Sequence, residues 1–90
     1  MRVPGTPDRS WPLGPDQIIG RSAGPGVIVV PDPQVSRRHA RLSWEDGHFV
    51  YRDFAPMNPT RRDGRTLPNP YIVQNGDRLA VGKAEIVIQV

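Results

Sequence analysis

Apolar residues recur along this chain with period two rather than at helical spacing. In "HARLSW" (39–44), Ala40, Leu42 and Trp44 share one face, and His39, Arg41 and Ser43 share the other. Phe49 and Tyr51 alternate in "HFVYRD", Leu79 and Val81 in "RLAVG", and Ile86, Ile88 and Val90 in "AEIVIQV". "QIIGR" (17–21) and "GVIVV" (26–30) are short apolar runs between turn residues. No window of about 11 residues holds an apolar stripe at three-and-four spacing that a proline or glycine does not break. The pattern predicts strands and no helix. It puts Ala40, Leu42 and Trp44 toward a core, with Trp11 beside them, and leaves His39 on the face that need not be buried.

The punctuation agrees. Asp46-Gly47, Asp63-Gly64 and Asn75-Gly76 each fall between candidate strands and supply the positive φ angles that tight hairpins need. Eleven prolines and nine glycines are spread through the 90 residues rather than gathered in one linker. Turn signals at this density predict an all-β domain of about eleven short strands, too many for one twisted sheet, so two packed sheets are expected. The length allows a single domain, residues 1–90. Strand patterns run close to both ends, which leads us to expect a unit cut from a longer protein.

Charge and composition narrow the function. The chain has no cysteine, so disulfides and thiolate metal sites are excluded, and a reducing, cytoplasmic setting is expected. Two histidines, His39 and His48, do not make a zinc site. No metal or cofactor is expected. Nothing approaches the roughly 20 apolar residues of a membrane span, and "MRVPGTPDRSW" lacks the apolar stretch of a signal peptide. Net charge is +3, and Lys83 is the only lysine among the 12 basic residues. Arginine offers planar, forked donors that match phosphate or carboxylate. The mild excess favours an anionic partner without demanding nucleic acid.

Three loop segments carry polar chemistry: "IIGRSAGPG", "DPQVSRRHA" and "DFAPMNPTRRDG". Ser36 and His39 could form a nucleophile and base. However, there is no Gly-x-Ser-x-Gly turn and no evident acid to orient the histidine, so an enzyme is not expected. Nucleic-acid binding would call for aromatic residues interleaved with the arginines, and these arginines lie in loops without them.

The three segments, in this order, resemble the forkhead-associated (FHA) domain. That family's pattern is Gly-Arg at a strand end, an apolar strand, Ser-Arg-x-His, an Asn-Gly-Thr-like loop, Gly-Asp and a later glycine. Here Gly20-Arg21, "VIVV", Ser36-Arg37-Arg38-His39-Ala40, Asn58-Pro59-Thr60, Gly76-Asp77 and Gly82 fall in that sequence. The resemblance runs from about Val3 to Val90. It implies an FHA-like β-sandwich that binds a phosphothreonine-containing protein or peptide, with a serine/threonine kinase or its substrate as partner. Arg21, Ser36 and Arg37 would hold the phosphate, which carries about −1.5 to −2 charge and three strong acceptor oxygens. Asn58 and Met57 would face the peptide. Gly20, His39 and Thr60 would support the binding loops. Arg38 is read as a solvated charge.

The third segment departs from the family. Ala55, Met57 and Pro59 stand where a serine, a hydroxyl residue and a glycine are usual. A thioether is a poor phosphate donor. Pro59 fixes its own φ and pushes Asn58 toward extended backbone. These changes support an alternative: an FHA-like scaffold with an impaired phosphate site, used for phosphate-independent assembly.

Overall fold

The computed structural model describes residues 14–54 and 57–89. Among them are nine strands and no helix: β1 Asp16–Gly20, β2 Val27–Val29, β3 Ala40–Glu45, β4 His48–Asp53, β5 Arg61–Arg62, β6 Arg65–Thr66, β7 Tyr71–Ile72, β8 Arg78–Val81 and β9 Ala84–Val87. They form two sheets, ordered β2-β1-β3-β4-β7 and β6-β5-β8-β9. Trp11 and Ala55 lie outside the described residues.

The period-two pattern sets the core. Ile19, Ile28, Ala40, Leu42 and Tyr51 from the larger sheet meet Leu79, Val81 and Ile86 from the smaller, with Ile88 just past the end of β9. Trp44 departs from its expected place. It lies on the same strand face as Ala40 and Leu42, yet it is 50% exposed. The stripe continues past the point where core packing ends, and Trp44 packs edge-on against its cross-strand neighbour Phe49, at 4.9 Å between ring centroids. Ser43, expected on the open face, is buried, with its hydroxyl donating to Glu45 at 2.6 Å.

Two of the three expected hairpins form. At Asp46-Gly47 and Asp63-Gly64 both residues have positive φ, which is the type I′ geometry that joins β3 to β4 and β5 to β6. Asn75-Gly76 is a turn, closed by Asp77 N–H to Gln74 O at 3.1 Å, but it is not a hairpin. It passes the chain from β7 in one sheet to β8 in the other. The β8–β9 hairpin turns instead on Gly82-Lys83.

Polar side chains brace the frame. Asp77 is buried and accepts hydrogen bonds from Tyr71 Oη and Gln74 N–H, both at 2.8 Å, while Arg62 Nε lies 3.3 Å from its other oxygen. On the open face of the larger sheet, Arg41 forks onto Asp16 and Arg52 forks onto Glu45. The Arg52 guanidinium, helped by the Ser43 hydroxyl, pulls the Glu45 carboxyl down to about 2.

Candidate functional site: three loops gathered at one end of the sandwich

β1 ends at Gly20, and the chain doubles back within residues 21–26 so that β2 runs parallel to β1. Gly26, at φ 68°, makes this short return possible. The segment 31–38 then closes over the end of β1. Val30 N–H donates to Gly20 O at 2.8 Å, Arg21 N–H to Ser36 O at 3.0 Å, and His39 N–H to Ile19 O at 2.8 Å. These bonds draw "IIGR" and "VSRRHA", some fifteen residues apart in sequence, into one surface.

Gly20 has a steric reason. A Cβ there would lie 1.9 Å from the carbonyl oxygen of Arg37 and 2.8 Å from its carbon. Its φ is not in the left-handed region. The glycine is required by a backbone lying directly on it, not by a special dihedral.

Arg21, Ser36, Arg37 and Arg38 are exposed at this end. Among the described residues none of the three arginines is ion-paired, whereas Arg41, Arg52, Arg62 and Arg78 each hold a carboxylate. Arg61 and Arg65, on the β5–β6 hairpin, are likewise exposed.

His39 is fully buried, which strand alternation did not require. It precedes β3 rather than belonging to it, so the strand's alternation does not govern its direction. Nδ1 accepts the Ser36 backbone N–H at 3.2 Å. In the neutral ring the proton therefore sits on Nε2, which lies 3.9 Å from Asp53 Oδ1. That is beyond hydrogen-bond length, and Nε2 is left without a geometric partner. Burial pushes the imidazole pKa down, opposed by the Asp53 charge and the Asn58 main chain. With Nδ1 taken by a backbone amide, His39 is not arranged as a base for the Ser36 hydroxyl.

The third loop joins β4 to β5 and is pinned at both ends. Phe54 N–H donates to His39 O at 2.8 Å. Thr60 is buried, shares a 2.7 Å hydrogen bond with Tyr51 Oη, and donates its N–H to Asp53. Between these anchors the Asn58 amide donates to Gln34 O at 3.4 Å, a long bond that stitches the second and third loops together. Met57 is 90% exposed.

Two supports were not found by sequence reasoning. Asp32 accepts Gln34 N–H at 2.8 Å and Lys83 N–H at 3.1 Å, so it ties the second loop to the β8–β9 turn. Gly82 fits beneath it, since a Cβ there would lie 2.9 Å from Asp32 Oδ1 and 3.2 Å from Val35 Cγ2. The aspartate-proline pair signals a local turn, but the partner 51 residues away carries no sequence signal. Asn69 is the other: its side chain exchanges two hydrogen bonds with the main chain of Asp53, holding the end of β4.

Comparison with known proteins agrees with this arrangement. The fold overlays the FHA domain of FhaA, crystallised with the intracellular domain of Rv3910, at a TM-score of 0.81 with 26% identity, covering 94% of this chain and 92% of that one. It overlays the FHA-2 domain of the Mycobacterium tuberculosis ABC transporter Rv1747 at 0.72 with 27% identity, covering 98% and 81%. The oxoglutarate dehydrogenase inhibitor of Corynebacterium efficiens is 35% identical over 60 residues, which is 67% of this chain but 42% of that protein. The chain thus spans less than half the length of that relative. Residues 18–82, from the middle of β1 to the β8–β9 turn, match the FHA domain model, and with the three loops gathered as described, the chain belongs to the FHA domain family.

Proposed function

We propose that this domain is a binding module, not an enzyme, that captures a phosphothreonine-containing segment of a partner protein. Arg21 and Arg37 supply charged donors, Ser36 a short hydroxyl donor, and Asn58 a contact to the peptide main chain. The observation that carries the reading is the contrast among the arginines. Those at the loop end lack a carboxylate among the described residues, while four arginines elsewhere are paired. A phosphate dianion matches that unpaired charge. Gly20, His39 and Thr60 hold the loops through the contacts described above. A partner acted on by a serine/threonine kinase, in the cytoplasm, belongs to the same proposal. So does a longer parent protein in which residues 1–90 form one unit.

Exposed Met57 and the Asn58-Pro59 step favour modest affinity, and they keep phosphate-independent assembly as the competing outcome. Titration calorimetry with matched phosphothreonine, phosphoserine and unphosphorylated peptides tests the choice. We expect the phosphothreonine peptide to bind best. Arg21→Ala or Ser36→Ala should weaken it about ten- to a hundredfold, because a hydrogen bond to a charged group is worth about 1.5–3 kcal/mol. The thermal midpoint should stay unchanged, since both side chains are exposed. Phosphopeptide affinity indifferent to Arg21→Ala would refute the reading.

A further inference from the structure

Thr66 has an arginine directly across from it. It sits in β6, the outermost strand of the smaller sheet, and its antiparallel partner on β5 is Arg61. Both side chains are exposed. Partner side chains on one face start about 4.5–5.5 Å apart at Cβ, within reach of an arginine fork. Arg61 pairs on its other side with Ala80 of β8, whose small side chain leaves that outer face open. Among the described residues Arg61 holds no carboxylate, while Arg78, two residues before Ala80, is taken by Glu85 at 2.8 Å. No other serine or threonine among the described residues has this placement. Thr60 is buried with its hydroxyl bound to Tyr51 Oη, Ser43 is buried opposite Val50, and Ser22 and Ser36 lie outside the strands.

The stretch leading to Thr66, "RRDGR", carries three arginines and one aspartate. A net positive approach suits the acidic substrate groove of an arginine-directed protein kinase. The strand is two residues long and is bonded on one side only, so little pairing has to open before it can be read as an extended segment.

We infer that Thr66 is a phosphorylation site and that Arg61 clamps the phosphate across the β5–β6 ladder. In the transfer, Thr66 Oγ1 forms the new bond to the γ-phosphorus of ATP, the bond from that phosphorus to the bridging oxygen breaks, ADP leaves, and the hydroxyl proton passes to the kinase's base. The product sets about −1.5 to −2 charge against a guanidinium, the setting in which a phosphate orders a segment rather than disrupting it. Leu67 N–H donates to Thr60 O at 3.0 Å, so the clamp lies one residue pair from the bond that fastens the end of the third loop. Phosphorylation thus tightens the hairpin and the Thr60 anchor together, whether or not the loop end takes phosphothreonine.

Two measurements test this. The domain and a free peptide of residues 61–68 are each incubated with ATP and the catalytic fragment of protein kinase C, an arginine-directed enzyme, and the phosphate is mapped by tandem mass spectrometry. Thr66 should be labelled in both, and the label at that position should vanish in Thr66→Val. No label on either, or label on the peptide but not at Thr66 of the folded domain, overturns the site. The domain is then made with phosphothreonine at position 66. Its melting midpoint should rise by about 2–5 °C over the unmodified protein, as befits a solvent-accessible pair, and the rise should shrink at high salt. The Leu67 amide should exchange with deuterium at least about twofold more slowly. Both effects should disappear in Arg61→Ala, whose side chain is exposed and lies outside the loops. An unchanged midpoint in the phosphorylated protein, or a rise that survives Arg61→Ala, overturns the clamp.

Discussion

Replacing Gly20 by alanine should damage fold and binding together, by an amount that follows from one distance. The added methyl would sit 1.9 Å from Arg37 O, and side-chain carbons do not approach backbone oxygen closer than 3.0 Å, so the second loop must retreat by at least about 1.1 Å. It is not free to do so. The Arg21 N–H to Ser36 O bond, now 3.0 Å, would stretch to about 4 Å, beyond hydrogen bonding. A lost bond costs about 1 kcal/mol and steric strain about 1–3 kcal/mol, so we expect about 2–4 kcal/mol of destabilisation. For a domain of this size that lowers the melting midpoint by at least about 10 °C. Because Ser36 and Arg37 ride on the displaced segment, phosphopeptide affinity should fall at least about tenfold even where the variant is folded. Gly47→Ala is the control. Its φ of 86° makes alanine strained, at a cost of about 1 kcal/mol, but nothing lies within 4 Å. It sits at the far end of β3 from His39 and should destabilise without changing affinity. Thermal melts and anisotropy on the two variants separate the effects. A Gly20→Ala protein with wild-type midpoint and wild-type affinity would show that the loop accommodates the methyl and that the close approach is not what positions Ser36 and Arg37.

Two further outcomes follow from buried polar contacts. His39 is neutral in the fold with its pKa lowered by burial, so the unfolded chain takes up the proton more readily. Its contribution should be complete above the unfolded value near 6.5 and decline as pH falls below it. The stability difference between wild type and His39→Gln in urea titrations should narrow from pH 7.5 to 5, and a constant difference would refute the assignment. Tyr51→Phe should cost about 1–3 kcal/mol, because it leaves the buried Thr60 hydroxyl without its partner. Adding Thr60→Val should recover part of that loss, and strict additivity of the two changes would count against the pair.

Strand identity, strand facing and the turn positions are properties of short stretches, and they were legible in the sequence. Alternation requires no partner to be read, so Ala40 and Leu42 are assigned to the core and Asp46-Gly47 and Asp63-Gly64 to hairpins, and the alternating Leu79, Val81, Ile86 and Ile88 prove to be buried as well. The order of Gly20-Arg21, Ser36-Arg37-Arg38-His39 and Asn58-Pro59-Thr60 also pointed to the family before any fold was known. What alternation does not contain is extent. It says which face a residue takes, not where the opposing sheet stops, and so Trp44 was misplaced; nor does it govern a residue just outside a strand, and so it left the burial of His39 undecided. Local pattern also carries no record of long-range pairing. That Gly20 lies under Arg37 O, that Asp32 reaches Lys83, and that Asn75-Gly76 crosses between sheets all depend on segments meeting in space. The same holds for charge. All 11 arginines look alike in the sequence, and only the tertiary arrangement decides that Arg41, Arg52, Arg62 and Arg78 meet carboxylates while Arg21, Arg37 and Arg38 gather at the loop end without one among the described residues, because an ion pair is made by proximity across strands and not by residue type.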